Sequence, residues 1–307
     1  MAFTTVMTTA ADVDDSIILE FDKQFIIASA QEAVMDQFVS YKRSINGQSI
    51  QLPRYARLGL KTTPLDEDDD VTSEVLVDTP IVLTPEEYGN VVTTTKLANL
   101  QTGGTADLAA ARLVGLNGGR SLDKLAVLAA EASSNELFSG QSSEAALLAG
   151  DVMTASFLNQ IYNKLARASI PPLSDGMYVA IMHDDQIHDL RDSVGAGSWQ
   201  DIKKYTGSEE ILKNQVGMVS GFKIIRNNNI TVNTDAGDTN VDTYHALCMG
   251  FNALGKAESQ GLTQRITGPF DKLARFMNVG WHAVVDYEIV EQDALFLGTT
   301  ASSVGAN

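Results

Sequence analysis

The chain has 307 residues, 44% of them hydrophobic, and 39 acidic against 22 basic residues give a formal net charge of −17. That length accommodates one large domain or two modest ones with a sizeable core, and the hydrophobic share excludes a disordered chain. An acid surplus of this size excludes a general basic surface for gripping nucleic acid.

Met1 to about Asp15 is small, polar and threonine-rich, and reads as loose. The first cation is Lys23, so the basic start of a signal peptide is missing, and no apolar run approaches the ~20 residues of a bilayer span; the expectation is a soluble protein made inside the cell. Phe21, Phe25, Val34, Phe38 and Tyr41 recur at helical spacing and predict an arm helix. From Lys42 to Thr95 the sequence turns extended and poorly cored. Two β-like legs, Ser49–Leu60 and Val75–Thr84, flank a run of five acids, Asp66, Glu67, Asp68, Asp69 and Asp70. Gln37 to Leu65 contains no acid, and its later cations are Arg54, Arg57 and Lys61. The segment predicts a long projecting hairpin, which in water needs cover from another surface, most simply a second copy of the same chain.

Val91–Thr95 predicts a strand. Thr105–Phe138 predicts a long helix with a stripe of Leu122, Leu125, Leu128 and Ala129, kinked or broken early by Gly115, Gly118 and Gly119. Phe157, Leu158, Ile161, Tyr162 and Leu165 mark another helix, stopped by Pro171-Pro172. Met177–Met182 reads as a buried strand, Asp184–Asp192 as a short helix with acids in its first turn, and Phe222–Arg226 and Tyr244–Met249 as further strands. The single cysteine, Cys248, lies in the last of these and reads as a buried, reduced thiol. Ala274–Val290 alternates and predicts a long returning strand. Helix and long strand thus enclose an α/β insert, the pattern of an α+β protein with two lobes sharing a discontinuous chain. The division runs 1–43 arm, 44–95 extended loop, 96–149 with 266–307 one lobe, and 150–265 the other.

Little here suggests catalysis. Gly250–Ala257 fits G-x-x-x-x-G-K, but Ala257 replaces the hydroxyl residue that would hold Mg²⁺, and a glycine-rich turn is expected instead. His183 and His188 would sit about 140° apart on a helix and not share an ion; a metal-dependent hydrolase built on His183–Asp192 remains the alternative from another class. Asp66, Asp68 and Asp70 mimic a calcium loop without its glycine or bidentate glutamate. His245 and His282 are expected to serve packing. No cofactor and no metal are expected.

The ordered set of segments resembles the major capsid proteins of tailed bacteriophages with the Hong Kong 97-type fold. The resemblance rests on TPLDEDDD…DTPIVLTPEEYGNVV (Thr63–Val92), DGMYVAIMHDDQIHDLR (Asp175–Arg191), VGMVSGFKIIRNNNI (Val216–Ile230) and YHALCMGFNALGKAE (Tyr244–Glu258), with Asp184 where proline is usual. It implies an N-terminal arm, an extended loop overlapping a neighbour, a peripheral lobe with a spine helix and an axial lobe. It also implies assembly as hexamers and pentamers into an icosahedral virion shell around double-stranded DNA, put together in the host cytoplasm with a portal at one vertex. Any scaffolding or decoration protein would be a separate chain, and an encapsulin-like compartment shell is the rival within the fold. On this reading Arg54, Arg57 and Lys61 of the loop would dock on acidic surface of an adjacent copy, with Asp66–Asp70 at the same contact.

Overall fold

The computed structural model describes residues 23–29, 33–39, 41–44, 47–55, 58–65, 67, 68, 70–103, 105–173, 176–193 and 217–304. Residues 23–29 form helix α1, followed by a 3-10 turn, Met35–Gln37, and strand β1 (Tyr41–Ser44). Strands β2 (Ile50–Leu52) and β3 (Ile81–Leu83) pair with each other, and β4 (Glu86–Thr95) leads through α2 (Lys96–Gln101) into the long helix α3 (Thr105–Glu131). Next come β5 (Glu136–Phe138), α4 (Ala155–Arg167), β6 (Tyr178–Met182), α5 (Asp184–Asp192), β7 (Met218–Val219), β8 (Phe222–Arg226), β9 (Val232–Asn233) and β10 (Thr243–Met249). The chain closes with β11 (Leu254–Phe270), β12 (Phe276–Ile289) and β13 (Leu295–Thr300). No helix among the described residues is long and apolar enough to cross a membrane.

These elements build a mixed helix-and-sheet protein with two main sheets. One runs β1–β11–β12–β4; the other runs β5–β13–β10–β6–β8–β7, with β9 pairing β10. The alternation in β12 buries Trp281, Ala283, Val285 and Tyr287 on one face, the period-two signature of a half-covered strand. By contrast, β6 and β10 are buried at every position because they sit inside the second sheet, covered on both faces. Helix α4 starts where the Thr154 hydroxyl accepts from the Phe157 amide at 3.2 Å, carries Lys164 and Arg167 in its last turn, and ends before Pro171.

Several expectations change. The arm is not one helix: α1 covers 23–29, and Tyr41 lies on β1, which pairs in parallel with Gly255–Glu258 of β11. Phe21 lies outside the described residues. The glycines of α3 do not break it; the helix runs unbroken for 27 residues, and the last part of the expected span, residues 132–138, lies beyond it, with Glu136–Phe138 in β5. Of the expected stripe, Leu122 is buried and Leu125 and Ala129 pack partly buried against the core, whereas Leu128 is exposed; small residues, Ala111, Gly115, Gly118, Gly119, Ala126 and Ala130, fill much of the rest of the buried face. Gly115 and Gly119 lie one turn apart on the side facing the arm. A β-carbon at Gly115 would sit 2.7 Å from the Phe25 carbonyl oxygen, and one at Gly119 would collide with the Ser29 carbonyl. Gly118 turns instead toward the sheet, where an added carbon would meet the Trp281 ring at 3.2 Å. β11 was not legible as a strand. Three glycines and a proline lower its intrinsic preference, and register shifts at Glu258/Gln260, Gln260/Thr263 and Thr267/Phe270 interrupt its pairing with β12. Its position between β1 and β12 supplies the stability that its propensity lacks.

On the same ridge of α3, one turn beyond Gly119, stands Asp123, only 2% exposed. Its Oδ1 accepts the amides of Val34 at 2.9 Å and Met35 at 2.7 Å; its Oδ2 accepts the side-chain amides of Asn227 at 2.6 Å and Asn229 at 2.8 Å. One carboxylate therefore ties the arm, the long helix and the 227–229 turn that follows β8. A second arm tether is Lys256 of β11, whose Nζ lies 3.1 Å from Asp36 Oδ1 and 2.7 Å from Glu258 Oε2. Burial works against its ammonium charge, but Tyr287, Glu258 and Asp36 outweigh it and hold the lysine pKa above its ordinary value, while burial pushes the Tyr287 phenol up to about 12. Glu144 makes a third node. Its Oε1 accepts from Asn233 Nδ2 at 2.8 Å and from the Thr243 hydroxyl, joining the 144–146 turn to β9 and β10. Burial would raise the Glu144 pKa, yet these two hydrogen bonds and His245 leave it lowered.

Three outcomes are expected. Gly119→Ala should lower stability by about 1–3 kcal/mol in urea unfolding, because helix and arm backbones cannot both keep their places, and should speed hydrogen exchange across residues 23–39; an unchanged arm removes the notch as the cause. Asp123→Ala strands two backbone and two side-chain donors and should cost about 3 kcal/mol or more, with the Val34 and Met35 amides losing protection first. Because the folded Glu144 pKa lies below its unfolded value near 4.5, its contribution is complete above that pH and is lost as pH falls through the folded value. Glu144→Gln should therefore flatten the acid limb of stability, read as urea midpoints between about pH 3 and pH 6; parallel curves for both proteins would count against this role.

Candidate functional site

The expected hairpin is present, with regular pairing confined to its base. Ile50, Gln51 and Leu52 pair with Leu83, Val82 and Ile81; further out Tyr55 bridges to Asp78, and the Thr79 amide donates to the Arg54 carbonyl at 2.8 Å. Beyond this the described residues 58–60 and 75–77 form no ladder, and Lys61 pairs with Glu74. The base is anchored on the body by apolar and charged contacts together. Leu52 and Leu83 are buried with Ala257 of β11 and Val290, the Thr84 amide donates to Asp286 Oδ2 at 2.7 Å, and Arg54 grips Glu291 with both its Nε, at 3.0 Å, and an Nη. The Glu291 carboxylate raises the Arg54 pKa against the effect of burial.

Past the anchor the apolar side chains lose their cover. Leu60 is 94% exposed, Val75 82% and Leu65 76%, and Leu58, Val71, Leu76 and Val77 are all more than half exposed. Each would be worth roughly 1.5–3 kcal/mol if fully buried. The structure thus gives the charged residues different places. Arg54 and Lys61 are paired within their own chain, while Glu67, Asp68 and Asp70 are exposed at the tip. Arg57, Asp66 and Asp69 lie outside the described residues.

A cleft of about 750 Å³ opens between α3, the start of β4, the middle of β12 and the 228–232 segment. Arg120 and Lys124 project from α3 into it; Lys124 Nζ donates to the Asn229 carbonyl at 2.8 Å and to the Thr231 hydroxyl, and Arg120 Nε to Asn229 Oδ1 at 3.4 Å. Trp281 forms part of its wall, with Nε1 donating to Asn117 Oδ1 at 2.8 Å. Sequence reasoning missed this cleft, since its residues come from four separated segments with no motif among them.

The chemistry weighed from the sequence finds other employment. Gly255 and Lys256 run along β11, and Lys256 is held by Asp36 and Glu258, so the G-x-x-x-x-G-K stretch forms no loop opening a helix. His183 caps α5, its Nδ1 accepting from the Asp185 amide at 3.3 Å. His188 is mostly exposed, whereas Asp189 is buried and accepts from the Ser303 amide and hydroxyl. Among the described residues no group of three or more His, Cys, Asp or Glu side chains is placed to hold a metal ion. His245 and His282 are polar-partnered rather than merely packed, with Nδ1 of His245 3.0 Å from the Thr299 hydroxyl and Nε2 of His282 2.7 Å from Glu87 Oε1. Cys248 is fully buried, and burial raises its thiol pKa.

No protein-family model matches the chain, and no curated protein matches it by sequence. Solved structures do. The capsid of Ralstonia phage GP4 superposes with a TM-score of 0.71 at 17% identity, covering 85% of this chain and 86% of that one. The Cyanophage Pam1 capsid gives 0.67 at 16% identity, covering 86% and 89%. A virus-like particle from Pyrococcus furiosus gives 0.55 at 12% identity, covering 91% and 97%. The chain therefore has the fold of phage capsid proteins, shared along nearly its whole length.

Proposed function

We propose that this chain is the major capsid subunit of a tailed double-stranded-DNA phage, a structural and non-catalytic protein that closes into an icosahedral shell of hexamers and pentamers. The observation that carries the reading is the hairpin: a ribbon anchored firmly at its base, with a row of exposed Val and Leu side chains beyond it, on a fold shared with phage capsids. A head-to-tail contact in which each ribbon covers the next subunit generates a ring when the rotation closes. In this reading residues 44–95 are the extended loop and α3 the spine helix. Residues 1–43 form the arm, 96–149 and 266–307 the peripheral lobe, and 150–265 the axial lobe, with β5 and β13 reaching across to the axial sheet. Portal, scaffolding and decoration proteins would meet the assembled shell, and the packaged DNA would be held without sequence-specific contacts. Assembly in the host cytoplasm and residence in the virion follow from that role.

An encapsulin-like compartment is the second reading, favoured by the fold match to the Pyrococcus furiosus particle. The stronger superposition on phage capsids supports the first.

Expressed alone or with its scaffold, the protein should form closed shells of megadalton mass in electron micrographs. Leu60→Asp and Val75→Asp change nearly fully exposed positions and should alter subunit stability by less than about 0.5 kcal/mol while abolishing or greatly reducing shell formation. A small, discrete oligomer loaded with stoichiometric metal would instead favour an enzyme, and normal shells from both variants would remove the ribbon from the mechanism.

A further inference from the structure

We propose that residues 255–258 of β11 form a two-sided seat that couples the arm to the hairpin within one subunit, so that a docked arm keeps the hairpin base fixed and an undocked arm loosens it. The coupling is a property of the single chain and does not depend on whether that chain builds shells. Successive side chains of a strand point to opposite faces. On one face Lys256 and Glu258 hold the arm: Lys256 Nζ lies 3.1 Å from Asp36 Oδ1, 2.7 Å from Glu258 Oε2 and 5.7 Å from the ring centre of Tyr287, its register partner on β12. On the opposite face the intervening Ala257, fully buried, packs with Leu52 and Leu83 of the hairpin base, and its own register partner, Asp286, accepts the Thr84 amide at 2.7 Å. Along the edge, the same stretch pairs in parallel with Tyr41–Ser44, which lead through residues 45–49 into β2. Arm and hairpin thus share one short piece of strand, back to back.

The two attachments differ in kind. The hairpin seat is apolar, with Leu52, Leu83, Ala257 and Val290 buried together. Around Lys256 the contacts to the arm are charged, and a cavity of about 170 Å³ remains there, lined by Ser29, Ala33 and Asp36 of the arm and by Gly119, Lys256 and Tyr287 of the body. Just past the seat, register shifts at Glu258/Gln260 and Gln260/Thr263 interrupt the ladder that joins β11 to β12. Such irregularities let a strand bend. When the arm leaves, Lys256 loses Asp36 and the stretch loses its pairing with β1, beside a place where its other ladder is already interrupted. Ala257 is then no longer held in position beneath Leu52 and Leu83.

Hydrogen exchange on the unassembled full-length subunit reads both sides of the seat. Asp36→Asn removes the arm's charge from Lys256 without altering β11 or the hairpin, and Lys256→Met removes the same contact from the strand. Each should speed exchange of the Tyr41–Ser44 amides and, by about fivefold, of the paired amides in 50–52 and 81–83. Exchange in Tyr178–Met182 and Thr243–Met249 of the second sheet should not change. Coupling between two sites is reciprocal, so Leu83→Ala, or the milder Leu83→Val if the first fails to fold, should speed exchange of 41–44 by a similar factor. Faster arm amides beside wild-type rates at 50–52 and 81–83 would overturn the proposal. A uniform rise across both sheets would overturn it as well, by making Lys256 a residue of general stability. Neither result touches the shell reading, which micrographs of the wild-type protein test separately.

Discussion

The carboxylate of Asp123 accepts four N–H donors from two separated parts of the chain, and it does so from a helix ridge stripped to glycine at the two preceding turns. Those features work as one. Glycine at 115 and 119 lets the arm backbone approach within contact of α3, and that proximity brings the Val34 and Met35 amides within reach of Asp123 on the next turn. The other oxygen holds the 227–229 turn after β8, so one side chain fixes the arm and a turn of the second sheet against the same helix. Lys124 and Glu131 extend the grip along 229–231. A buried carboxylate of this kind is tolerable because both of its oxygens accept hydrogen bonds.

The hairpin base has a separate anchor. Leu52 and Leu83 bury against Ala257 and Val290, and Arg54 closes on Glu291, so the ribbon leaves the body from a fixed base. Outward from there the chain gives its apolar residues no cover. Two opposing forces then govern association. Copies of a chain with net charge −17 repel, but at physiological ionic strength exposed charges are screened beyond about 8 Å, whereas apolar burial acts at contact and adds up residue by residue. Association should follow wherever the ribbon finds a complementary surface, with charge choosing the register rather than supplying the bulk of the energy.

The pairing of Arg54 and Lys61 inside the chain changes how the charge swing in the loop is read. In sequence, an acid-free basic leg followed by five acids looks like a two-sided electrostatic strip. In the folded chain the described cations of that strip are neutralised at the base and along the legs, and the tip is left acidic. The expectation that the loop's cations dock on a neighbour is thereby weakened, since Arg54 and Lys61 have partners within their own chain.

Sequence alone determined the elements whose signal is local. The alternation of β12, the continuous apolar runs of β6 and β10, the capped and proline-stopped α4 and the acid-led α5 are each written in a short window, because periodicity and caps act over a few residues. So is the base of the hairpin, where the two expected legs pair over Ile50–Leu52 and Ile81–Leu83. Tertiary structure decided what depends on partners distant in the chain. It straightened α3 by turning glycines that look like breakers into a docking groove, made a strand of the glycine-rich Leu254–Phe270 by placing it between β1 and β12, and assembled both the Asp123 node and the basic cleft. A glycine is a weakness or a close-contact surface according to what lies against it, and a carboxylate is a solvated charge or a hub according to which donors converge on it. Both depend on contacts between residues far apart in the chain, which no local window of sequence contains.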